Sequence, residues 1–229
     1  MKKETIPKKK KIQKKYVPKK VEPFRSSIAR KADLERYRLM ALELGASDAK
    51  IISSDQIIIE DRVVGKCKVP PCRFYGTNRN CPPYAPAAEE MRKIIKEYES
   101  AIFIRLLSPS EDVAGRKAIE EGRIVRNQKK IYDIVSQVES QAFYDGYYLA
   151  MGLGAGPCKR ALCHDAECSA LVPGQGCRHN LRARPASEAV GINCYKMAAL
   201  VGWDIYPIGK SVSPENVPHG TRLGLVLID

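Results

Sequence analysis

Cysteines at the spacing C-x4-C-x8-C occur twice in this chain, at Cys67, Cys72 and Cys81 and again at Cys163, Cys168 and Cys177, the second set preceded by Cys158 to read C-x4-C-x4-C-x8-C. Two loops of one size point to guests of similar size. At 229 residues the chain is long enough to bury a substantial core without staples, so small size does not account for eight cysteines. No apolar segment follows the Lys-rich start as a signal peptide requires, and no apolar run approaches the ~18 residues of a membrane span. The expectation is a cytoplasmic protein, and in a reducing compartment clustered cysteines point to metal ligation rather than disulfides.

Four thiolates suit either a structural zinc or an iron–sulfur cluster. Structural zinc favours tight C-x2-C knuckles that grip one ion from a single turn, and none is present. Wider loops rich in glycine and proline suit a chain that wraps round a [4Fe-4S] cubane, and Cys81-Pro82 matches the Cys-Pro that closes many ferredoxin ligand runs. Cys158, Cys163, Cys168 and Cys177 make a complete set for one cluster, with zinc as the alternative. The first loop supplies three thiols. Either Cys194 completes it, or one iron is left open to water, a thiol or a substrate.

Other residues near these loops are candidates for cluster contacts. Gly154 and Gly156, with Gly152 before them and Gly174 and Gly176 before Cys177, let backbone amides approach cluster sulfurs. "GLGAG" is a poor phosphate loop, since it follows a helical pattern instead of a strand. Arg182 and Arg184, close behind Cys177, are candidates to balance a negative cluster or to anchor an anionic substrate. Cys194 follows Asn193, a good helix cap, so it stands at a helix start where thiolate is favoured.

The rest of the chain reads as α/β or α+β, a mixed sheet with helices packed on it and carrying two cysteine-rich metal-binding loops. "ADLERYRLMALELG" has helical spacing and a terminating Gly45; "AKIISSDQIIIEDRVV" reads as two short strands or a hairpin leading into Cys67. Pro86 opens a helix with Met91, Ile94, Ile95 and Tyr98 on one face. "AIFIRLL" reads as a strand covered on both faces. From Ser110 to about Met151 runs the longest helix, broken near Gly122. "RARPASEAV" gives a short helix, "CYKMAALVGW" another, and "TRLGLVLID" a closing strand. Residues 1–25 read as a disordered tail ahead of a single domain, 26–229. Its first 20 residues hold ten lysines and one glutamate, +9 of a formal +13. Such a tail suits an acidic partner or nucleic acid.

The blocks "ALELGASDAKIISSDQIIIEDRV", "CKVPPCRFYGTNRNCPPYAP", "GPC" and "CRHNLRARPASEAVGI" resemble the cysteine-rich bacterial and archaeal predicted metal-binding proteins grouped as domain of unknown function 2284. The likeness runs from about Leu39 to the C-terminus and excludes the Lys-rich tail. It implies a soluble metal-binding protein in which Cys67, Cys72, Cys81, Cys158, Cys163, Cys168 and Cys177 are candidate ligands. The function expected is that of an iron–sulfur protein with one or two [4Fe-4S] clusters, acting in electron transfer with a redox partner protein. Two alternatives stand beside it: an enzyme with an open-site cluster acting on a small substrate, and a structural zinc protein whose basic tail binds nucleic acid.

Overall fold

The computed structural model describes residues 16–164 and 166–229, so residues 1–15 of the predicted tail lie outside it. Four strands, β1 (Asp48–Ser53), β2 (Ser100–Ser108), β3 (Met151–Leu153) and β4 (Gly220–Leu227), form one sheet in the order β1-β2-β4-β3 with every pair antiparallel. Seven α-helices among the described residues accompany it: α1 (Ser27–Glu43), α2 (Asp61–Lys68), α3 (Ala88–Ile95), α4 (Gly115–Glu120), α5 (Arg123–Tyr144), α6 (Cys158–Cys163) and α7 (Cys194–Leu200). None is long and apolar enough to cross a membrane.

The apolar run of β2 explains the layering. Ile102, Ile104 and Leu106 point to one face, where α1 and α5 cover them with Tyr37, Met40, Ile131, Ile134, Val135 and Val138. Ala101 and Phe103 point to the other, joined by Leu225 and Leu227 of β4 and covered by Met91 of α3, Met197 of α7 and Trp203. A strand buried on both faces has no polar side to alternate with, as expected of this run.

Helix α5 lies very close to the sheet, and small residues make that approach possible. A Cβ added to Gly224 of β4 would sit 2.6 Å from Val135 Cγ2, and one added to Gly154 would sit 2.6 Å from Tyr132 Cε1. Gly154→Ala should therefore destabilise the protein by about 1–3 kcal/mol through overpacking. A lowered urea midpoint with an unchanged m-value would report it.

Three segments differ from their sequence patterns, the helix expected at "RARPASEAV" being a single 3-10 turn, Ser187–Val190. Only the first half of "AKIISSDQIIIEDRVV" is a strand; Ile59 makes a single bridge to Ile192, and "DRVVGKCK" is helix α2. The charges decide this: Asp61 lies in the first turn and Lys66 and Lys68 in the last, each favourable to the helix dipole, and no residue of α2 is buried as a strand's would be. Helix α5 ends at Tyr144, short of Met151, because Asp145 caps it and Gly146 turns left-handed at φ 101. Met151 then opens β3, so the glycines of "GLGAG" leave a strand after all. The break before α5 falls at Gly122, as predicted, and Asn193 caps α7 by accepting the N–H of Lys196 at 3.0 Å.

Ahead of α1, the chain from Tyr16 to Arg25 runs against the end of α5. Tyr16 stacks on Tyr144 with ring centroids 4.8 Å apart, and Lys19 N–H donates to Tyr144 C=O at 2.7 Å.

Candidate metal centre

Helix α6 begins with Cys158 and ends with Cys163, and the loop beyond it returns Cys168 and Cys177 to the same place. These four side chains line one small cavity of about 210 Å³, with Asn78, Asn80 and Lys159 among its other walls. Left-handed His164 (φ 51) ends α6 and turns the chain. Ser169 Oγ pins the return by donating to Gly176 C=O at 2.8 Å and accepting the N–H of Arg178 at 3.2 Å. The N–H of His179 points at Cys177 Sγ, 3.4 Å away.

Two of these thiols, Cys158 and Cys163, are hard to ionise on their own. Burial, offset in part by a hydrogen bond from Asn80, pushes Cys158 up to about 12, with Cys81, Cys163 and Cys168 adding to the rise. Cys163 is raised too, chiefly by burial, although Arg178 and Lys159 pull against it. Only a cation brought among them, or a positively charged cluster iron, stabilises several thiolates together.

The first loop is built from the last turn of α2 and the turns after it. Cys72 N–H donates to Cys67 C=O at 3.0 Å, closing the loop between them, and Gly76 N–H reaches Pro82 C=O at 2.8 Å. Cys67, Cys72 and Cys81 share electrostatic influence, and Cys81 is pushed up to about 11, first by burial. Cys194, the first residue of α7, is also buried and rises to about 12, but its neighbours are Glu188 and Ser187. It meets Cys67 and Cys72 only across a larger cavity of about 520 Å³ whose wall all three share.

One buried side chain joins the two cysteine groups. Asn78 is fully buried; its carboxamide hydrogen-bonds to Cys81, and its Oδ1 accepts from Cys158 Sγ at 3.7 Å. Asn80 Nδ2 donates to the same Cys158 Sγ at 3.4 Å. Tyr132 of α5, completely buried, stands by Cys81 and Cys158 and donates its hydroxyl to Gly156 C=O at 2.6 Å.

The glycines and arginines chosen from the sequence are engaged elsewhere. The N–H of Gly154 donates to Pro185 C=O at 2.8 Å and that of Gly156 to Glu188 Oε1 at 2.7 Å, so neither amide is left for sulfur. The absent side chains at these positions instead make room for Tyr132 and Gln128 of α5. Arg182 pairs with Asp133, and Arg184 Nε pairs with Glu139 Oε2 at 2.6 Å, fastening the loop after Cys177 to α5. Residues of the site that carry no plain mark in the sequence are Asn78, Asn80, Glu188 and, in the wall of the larger cavity, Arg222. The first three stand inside the quoted blocks "YGTNRNCPPYAP" and "RARPASEAVGI", where a polar residue amid prolines and cysteines was the available signal.

All eight cysteines are free thiols. Among the described residues no three His, Cys, Asp or Glu side chains converge closely enough to grip a single ion. The sequence model of one family, described as predicted metal-binding protein (DUF2284), matches residues 50–228. No curated protein and no solved structure matches.

Proposed function

From the premise that the chain belongs to the DUF2284 family of predicted metal-binding proteins, we propose that it is a cytoplasmic iron–sulfur protein that moves electrons to or from a redox partner protein. The observation that carries this reading is the second cysteine group. Cys158, Cys163, Cys168 and Cys177 surround a space of about 210 Å³ without meeting at a point. The four-thiolate donor set suits a cluster, and the cavity that the four cysteines help to line gives it a place.

Cys158, Cys163, Cys168 and Cys177 would hold one [4Fe-4S] cluster, and Cys67, Cys72 and Cys81 would hold another. Such clusters supply one-electron chemistry. The chain's own part is to keep water from the inner side of the site with the buried Tyr132 and Asn78, and to present the Asn80 side-chain N–H to Cys158, since hydrogen bonds to ligand sulfur tune a potential. Asn78, in touch with Cys81 and Cys158 together, keeps the two groups adjacent and is the natural bridge between them.

A second reading, an enzyme whose first site is open, draws support from the placement of Cys194. Cys67, Cys72 and Cys81 influence one another, while Cys194 faces Cys67 and Cys72 across a cavity able to admit a small molecule. Iron, zinc, acid-labile sulfide and the visible spectrum, measured together on protein purified without oxygen, test both readings. Two clusters give about eight iron and eight sulfide per chain and a brown colour that bleaches on reduction. Cys194→Ala should leave that content unchanged if the first site is open, and halve it if Cys194 is a ligand. Stoichiometric zinc without sulfide sinks the redox proposal.

A further inference from the structure

We propose that the cavity of about 520 Å³ beside the first cysteine loop binds a small organic anion, a carboxylate with a short apolar body, seated by Arg222. The volume lies within the usual range of small-molecule sites, roughly 300–1,000 Å³. Arg222, from β4, forms part of the wall, and its Nε is shut off from solvent with no hydrogen-bond partner among the described residues. Thr221 Oγ1, also of β4 and also part of the wall, is in the same condition. Buried polar atoms of this kind normally find partners, and leaving one without is costly.

Glu188 does not fill that role. It influences Arg222 through space, but its Oε1 already accepts the Gly156 N–H. Burial, with repulsion from Arg160, weakens the hold of Arg222 on its proton, and an anion placed against it would restore that hold. Lys66, on α2 across the cavity, adds positive charge to offset Glu188 in the same wall, Arg62 being paired with Glu60 at 2.7 Å, while Val63, Ile192 and Leu223 give it an apolar side. A guanidinium against an apolar wall matches a planar carboxylate, which Arg binds through two parallel hydrogen bonds. The proposal deepens the open-site reading and rests on it, since Cys67, Cys72 and Cys194 line the same cavity and a ligand here lies beside whatever those thiols hold.

The test is to titrate the full chain, purified without oxygen, with hexanoate, hexanol and inorganic phosphate, following heat and Tm. Hexanoate should bind saturably at millimolar concentration and raise Tm, hexanol should not, and phosphate should be weaker by about tenfold. Arg222→Gln should weaken hexanoate by about tenfold or more. Val63→Trp, which fills the space from α2 without touching the charge, should do likewise, and it decides the matter if Arg222→Gln fails to fold. No saturable binding, or equal binding to both variants and wild type, overturns the proposal. Phosphate binding as tightly as hexanoate overturns its organic character. Cys72→Ser should retain hexanoate binding even where it loses iron. If instead Cys72→Ser abolishes binding and Arg222→Gln does not, the anion sits on a metal and the assignment to Arg222 fails.

Discussion

Replacing Cys158 with alanine should remove about half of the bound iron and half of the sulfide, leaving a folded protein with one cluster in its first loop. Cys158 is chosen because it stands at the junction of both cysteine groups, buried, with Asn78 and Asn80 on its sulfur. Removing one sulfur from a core position leaves a small void, worth about 1 kcal/mol, so the fold should survive. Losing one of the four proposed ligands would be far more serious for a cluster whose other three would lie on a loop held mainly by turns. Iron and sulfide analysis beside circular dichroism separates the two effects. Unchanged iron would show that Cys158 is no ligand. Complete loss would show that the two groups assemble as one unit, with the buried Asn78 as the physical connection between them.

How much of this centre could be read from the sequence depended on how local its causes are. The four cysteines from Cys158 to Cys177 lie within twenty residues, and their meeting round one cavity follows from a single short helix and a returning loop. The apolar strand at Ala101 to Leu107, the break at Gly122 and the Asn193 cap were legible for the same reason. Contacts made over long separations were not. Arg222 reads as one polar residue in a closing strand, and only the antiparallel pairing of β4 between β2 and β3 carries it to the wall of a cavity opposite α2. Glycines 154 and 156 look like amide donors in the sequence, but the close passage of α5 gives them a packing role. Helix α2 was hidden by β-branched residues that are nowhere buried, so their strand preference had nothing to act on.

Asp145→Asn should destabilise the protein by about 3 kcal/mol at neutral pH, and the loss should vanish in acid. The Asp145 side chain is 2% exposed and lies where three parts of the chain meet. Arg36 donates to it at 2.7 Å and Tyr37 at 3.1 Å from α1, Gln141 at 3.0 Å from α5, and Lys19 Nζ lies 2.9 Å away on the N-terminal segment. Arg25 donates to its backbone carbonyl and to Asp33, tying the same segment to α1. Burial alone would raise the pKa of this carboxylate; the hydrogen bonds from Gln141, Lys19 and Arg36 outweigh it and lower the pKa below the ordinary value. A carboxylate with a depressed folded-state pKa adds stability that is complete above its unfolded value, about 4, and is lost as pH falls through the folded value. Because Lys19 and Arg36 are each about half exposed (51% and 42%), solvent screens part of the attraction, so the figure rests mainly on the buried, hydrogen-bonded charge. Urea unfolding of wild type and Asp145→Asn at neutral pH and again below pH ~4 measures the difference. A gap that persists unchanged in acid would mean that packing at the end of α5, and not the charge of Asp145, holds the N-terminal segment in place.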